Sequence, residues 1–99
     1  MIKIKIHEAY RKIVAVCDSE LIGKKFVEGK LQLDLKESFY NGEEVDESKA
    51  VRMLKEALAD DATFNIAGEK AIQAAIKAGI IDKKGIIRIQ NIPYALSLI

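Results

Sequence analysis

The sequence predicts a single α+β domain, with a mainly antiparallel or mixed sheet packed by two principal helices. Three observations predict it. Apolar residues recur at every second position near the start, at helical spacing through the middle, and at every second position again near the end. The predicted strands cluster first and last with the helices between them, unlike a regular βαβ repeat. A chain of 99 residues, 49% hydrophobic and 31% charged, can bury one core and is too apolar to stay disordered.

The elements follow in order. Ile2, Ile4 and Ile6 alternate with Lys3, Lys5 and His7, the period-two signature of a half-buried strand. Arg11-Lys12 is a polar break, and Ile13–Cys17 then reads as a strand buried on both faces. Asp18-Ser19 is placed to cap a short helical turn through Leu21-Ile22 that Gly23 ends. Phe26-Val27 is a brief extended piece, Gly29 a turn, and Leu31, Leu33 and Leu35 mark another strand. Asn41-Gly42 is a tight turn after Phe39-Tyr40.

The spacing of Ala50, Met53, Leu54, Ala57 and Leu58 predicts a helix over 47–59, with Asp46 as N-cap and Asp60-Asp61 as exit. A second helix is predicted over 68–78, beginning at about Ile66 or Gly68 and capped by Asn65. Ile72, Ala75 and Ile76 face inward, and Gly79 follows its end. After the turn Asp82–Gly85, Ile86–Ile89 is a strand, Asn91-Ile92-Pro93 breaks it, and Tyr94–Ile99 forms a last one.

Composition narrows the functional classes. Cys17 is the only cysteine, so no intrachain disulfide forms and a reducing cytoplasm is the natural setting. The charged, alternating start does not resemble a signal peptide, and no apolar run reaches the roughly 20 residues that span a bilayer. A soluble protein with no membrane partner is expected. Fifteen isoleucines with abundant lysine suit either a thermophile or an AT-rich genome. The net charge of +1 hides an uneven distribution. Residues 1–36 carry +3, residues 37–61 carry −5 and residues 62–99 carry +3.

No pattern calls for a cofactor, and one His with one Cys offers no zinc-type ligand spacing. His7 and Cys17 invite a base–nucleophile pairing. A hairpin about Tyr10-Arg11 would set them about 10 Å apart, at ~3.3 Å per residue, so Cys17 reads as core. Two candidate surfaces remain. Asn65, Gly68 and Lys70 together could present backbone N–H groups and a cation to a small anion, against the simpler reading of a helix cap. Lys3, Lys5, Tyr10, Arg11 and Lys12 could form a basic face able to meet a phosphate backbone and stack a base, against a lysine-protected strand surface.

Several motifs carry a resemblance. Val16-Cys17-Asp18, Leu21–Phe26, Glu28-Gly29 and Phe39–Gly42 resemble the first half of a small archaeal family of unknown function. Asn65–Ala71, Ala78–Asp82 and Ile92–Ala95 resemble its second half. Members of that family commonly show His where this chain has Tyr94, so a role resting on an imidazole there would not apply. The resemblance implies a lineage and no reaction, substrate or cofactor. The expected function is a small noncatalytic binding or adaptor module acting on RNA or a ribonucleoprotein. The alternatives are a protein–protein or self-association module, and an enzyme or binder of a small anionic ligand at the second helix N-terminus.

Overall fold

The computed structural model describes residues 1–98. Eight strands and three helices succeed one another as β1 (Ile2–His7), β2 (Ile13–Asp18), β3 (Lys25–Glu28), β4 (Leu31–Asp34), α1 (Glu37–Tyr40), β5 (Glu43–Val45), α2 (Glu47–Ala59), β6 (Thr63–Ala67), α3 (Glu69–Lys77), β7 (Ile87–Ile89) and β8 (Ile92–Ser97). Six strands make a mixed sheet in the order β5-β1-β2-β6-β8-β7, and β3-β4 form a separate hairpin. Only β2-β6 is parallel; the other pairs in the sheet are antiparallel. The α+β class and the mainly antiparallel sheet agree with the periodicity.

The sheet separates two cores. On one side α2 and α3 cover Ile2, Ile4, Val14, Val16, Phe64 and Ile66 with Ala50, Leu54, Ala71, Ile72 and Ala75. Burying this largely aliphatic layer stabilises the fold at about 25 cal/mol per Å² of apolar area. On the other side Leu21, Leu33, Leu35 and Tyr40 close over Ala15, Cys17, Ala67 and Ile89. The β3-β4 hairpin is tied to the β7-β8 turn, where Gln90 N donates to Glu28 Oε1 (2.6 Å) and Gln90 Nε2 to the Val27 carbonyl (2.7 Å).

The two main helices lie where the spacing put them. Asp46 caps α2, accepting from Lys49 N at 2.8 Å. At the end of α3, Gly79 adopts φ +79° and Ile80 N returns to the Ala75 carbonyl (3.0 Å), a Schellman-type finish.

Three readings need correction. Residues 63–67 are strand β6, so Asn65 does not cap the following helix. Phe64 and Ile66 alternate with Thr63 and Asn65, but the segment abuts a helix and is too short to declare its own period. Asp18 makes no side-chain bond to the single 3₁₀ turn Ser19–Leu21 behind it; its carboxylate goes elsewhere, as described below. Ile92 and Pro93 belong to β8 and do not interrupt it. The reversal is made by Gln90 (φ +49°) and Asn91 (φ +66°), a two-residue hairpin loop with both residues left-handed. Pro93 is tolerated because the pairing of β8 with β6 begins only at Tyr94. The final residue of the predicted last strand, Ile99, lies outside the described residues.

Candidate functional site

The N-terminus of α3 is already occupied by an anion of the protein's own. Asp18, at the end of β2 and 4% exposed, accepts from Ala71 N at 2.8 Å and from Lys70 N at 3.2 Å. The parallel pairing of β2 with β6 carries this carboxylate to the start of the helix that follows β6. Gly68 makes the approach possible. Its φ of +106° is left-handed, and a Cβ there would collide with the Asp18 carboxyl carbon and stand 2.5 Å from Oδ1. Gly68 N in turn donates to the Pro93 carbonyl (2.9 Å). Burial raises the Asp18 pKa above its usual value, opposed by the Ala71 and Lys70 amides.

Of the proposed anion-binding trio, Gly68 and Lys70 therefore stand at an N-terminus whose amides are engaged by Asp18. Asn65 sits one strand turn away, its Oδ1 accepting from the Tyr94 hydroxyl at 3.2 Å. An external anion would have to displace a buried carboxylate bonded to two amides. The sequence concealed this because Asp18 and Lys70 lie 52 positions apart and meet only through the parallel strand pair.

The five basic-face residues divide into two groups. Lys3 and Lys5 share the sheet side opposite α2 and α3 with Cys17 and Ala15, their register partners. Lys3 pairs with Glu44 (3.3 Å), and Lys5 Nζ donates to the Ser38 carbonyl (2.9 Å). Arg11 and Lys12 belong to the β1-β2 connection. Arg11 donates to the Asp61 carbonyl from Nε (2.9 Å) and Nη2 (2.7 Å), and Lys12 pairs with Asp60 (3.4 Å). Tyr10 is fully exposed at the tip. At the tip Asp60 offsets the charge of Lys12, while Arg11 is held by a backbone carbonyl and keeps its charge.

What the fold does assemble is an open half-face of the sheet. Residues paired across strands point to the same side. Lys5, Ala15, Asn65 and Leu96 form one row, and His7, Ile13 and Thr63 the next. The upper row, Lys3, Cys17, Ala67 and Tyr94, lies under the second core, while most of the two lower rows remains partly exposed. Leu96 is 48% exposed at the far side. His7 stacks on Phe39 (centroids 4.7 Å apart), and its Nε2 donates to the Phe39 carbonyl (2.8 Å), which fixes the proton on that nitrogen. Arg11 Nη1 reaches the Leu98 carbonyl (3.4 Å) and borders the face at its lower end.

The ionisable groups Cys17, Tyr40 and Tyr94, under or against the second core next to the open rows, are held neutral. Burial, together with Asp18 and Glu20, pushes the Cys17 thiol up to about 12, and burial raises the Tyr40 and Tyr94 phenols. His7, across β1 from Ile13, is four register steps from Lys3, the partner of Cys17, so imidazole and thiol do not meet. Among the described residues no cluster of three or more His, Cys, Asp or Glu could hold a metal ion, and no helix is long and apolar enough to cross a membrane.

Comparison with curated proteins finds no match. Among solved structures, the chain is similar to that of an uncharacterized conserved protein from Methanopyrus kandleri. The TM-score is 0.86 at 23% identity, covering 96% of this chain and 88% of that one. At that identity the likeness concerns the fold. The family model described as "Protein of unknown function (DUF424)" matches residues 6–98, nearly the whole chain, and the protein belongs to that family.

Proposed function

We propose that the protein is a noncatalytic binding or adaptor module that lays a single-stranded segment of RNA, free or within a ribonucleoprotein, across the open half-face. The observation that supports this reading is the juxtaposition of Lys5, Ile13, Thr63, Asn65 and Leu96 on one partly exposed stretch of sheet, flanked by the stacked His7–Phe39 pair. Single-stranded RNA is recognised by such platforms through base stacking, polar contacts to base edges and cations on the phosphates. The His7–Phe39 pair supplies a flat ring surface, and Ile13 and Leu96 further apolar contact. Thr63 and Asn65 supply donors and acceptors, and the remaining N–H groups of Lys5 can meet a phosphate. The Cys17 thiol, held protonated under the second core beside the half-face, supports binding without covalent chemistry. The lone buried Cys17 suits a reducing cytoplasm.

The test is retention of bulk single-stranded RNA at increasing salt by wild type, Lys5→Glu and Leu96→Glu. Wild type should bind with a linear loss of log affinity against log salt, and both variants should weaken binding at unchanged melting temperature. Absence of binding at low salt, or equal binding by all three proteins, contradicts the reading. The 48% exposed Leu96 and 65% exposed Leu98 favour self-association as the second reading. A concentration-dependent mass abolished by Leu96→Glu, without RNA retention, would select it.

A further inference from the structure

We propose that a second, separate groove, between α3 and the 83–88 segment, binds a short-chain aliphatic carboxylate. It is a cavity of about 310 Å³ lined by Ile72 and Ile76 of α3 and by Ile86, with Glu69, Lys83 and Arg88 around them. It lies on the helix-covered side of the sheet, away from the open half-face. That volume is at the lower limit of small-ligand pockets, room for a chain of a few carbons and too little for a folded segment. The isoleucines offer an apolar lining that Ile72, 3% exposed, anchors in the core.

The charges select the ligand's sign. Two cations face one carboxylate around the cavity. Arg88 Nη1 is held by Glu69 Oε2 (2.8 Å) and by the Asn91 carbonyl (3.0 Å). The Asn91 bond fixes the guanidinium whether or not Glu69 is present. Nε and Nη2 of Arg88 make no hydrogen bond among the described residues, which leaves the bidentate fork available to a second carboxylate. Lys83 also has no salt bridge among the described residues and supplies further positive charge beside the same cavity. Glu69 is exposed, so its ion pair with Arg88 is weak and readily exchanged. A free carboxylate with an aliphatic tail satisfies Arg88 and Lys83 with its head and the three isoleucines with its tail.

The experiment is an amide chemical-shift titration of the whole chain with hexanoate, alongside hexanol and hexylammonium. Hexanoate should saturate with a Kd on the order of 1 mM, the scale for a ligand of this size, moving Ile72, Gln73, Ile76, Ile86 and Arg88. Hexanol and hexylammonium should bind at least about tenfold more weakly. Arg88→Ala should weaken hexanoate about tenfold, whereas Glu69→Gln, by removing the one negative charge beside the guanidinium, should tighten it several-fold. That gain cannot come from misfolding. Equal responses to hexanoate and hexanol, shifts scattered beyond the groove, or no tightening by Glu69→Gln would overturn the proposal. So would a leucine-terminated peptide binding far better than hexanoate, which would make the groove a protein-docking site instead.

Discussion

Replacing Asp18 with alanine removes the carboxylate that joins β2 to the start of α3, and the cost can be worked from its contacts. Two backbone amides, Ala71 N at 2.8 Å and Lys70 N at 3.2 Å, lose a charged acceptor. Hydrogen bonds to charged groups contribute about 1.5–3 kcal/mol each, and an orphaned buried donor carries a similar penalty. Against this, the variant no longer desolvates an ionised carboxyl, the effect that raises the Asp18 pKa. The balance is a loss of about 2–4 kcal/mol, which at 4–8 °C per kcal/mol lowers the melting temperature by roughly 10–30 °C. Gly68→Ala should cost at least as much, because it adds left-handed strain of about 1–3 kcal/mol to a collision with the same carboxylate. In the double variant Asp18→Ala/Gly68→Ala the collision disappears. The combined loss should therefore fall short of the sum of the singles by about 1 kcal/mol or more. Urea unfolding followed by circular dichroism measures all four proteins. Additive losses, or an Asp18→Ala cost below about 0.5 kcal/mol, would refute the clamp.

Three further outcomes follow from the same structure. A folded-state pKa raised above the unfolded value means that folding favours the protonated Asp18 carboxyl. Its stabilisation is fully present below the ordinary carboxylate pKa of about 4 and is lost as pH rises through the raised value. Wild-type stability relative to Asp18→Asn should accordingly fall as pH rises from about 4, and a difference that grows with pH contradicts the sign. Cys17, fully buried with its thiol pushed up to about 12, should resist thiol reagents at neutral pH until the protein unfolds; rapid native labelling would show otherwise. Gly79→Ala should cost about 1 kcal/mol through its φ of +79° alone, since open space surrounds the position; a larger loss in urea unfolding would reveal a contact there.

The legible parts of the fold were those governed by local chemistry. Asp46 ahead of an apolar stripe and Gly79 behind one are short-range signals, and both helices stand within a residue or so of their expected bounds. β6 was not legible. Thr63–Ala67 runs directly into Gly68 and α3, so its two buried alternating residues merged with the helical stripe that follows. The role of Asp18 was hidden for a different reason. Beside Ser19 it looks like a local cap, and only the parallel register Cys17–Ala67 brings it to α3. That the basic residues separate into two groups was not visible in the sequence, because charge along the chain does not reveal partners. Asp60 and Asp61 lie 48 and 50 positions from the cations they receive. Conversely, the open rows on the sheet follow from register across β1, β2, β6 and β8, which no single segment encodes.

Amide chemical shifts during titration with a single-stranded RNA oligonucleotide test the proposed binding face most directly. The predicted result is saturable movement of Lys5, Ile13, Thr63, Asn65 and Leu96, weakened by salt, with Gly68, Lys70 and Ala71 unmoved because Asp18 already fills the start of α3. Movement centred on Gly68 and Lys70, or no movement at low salt, would contradict it.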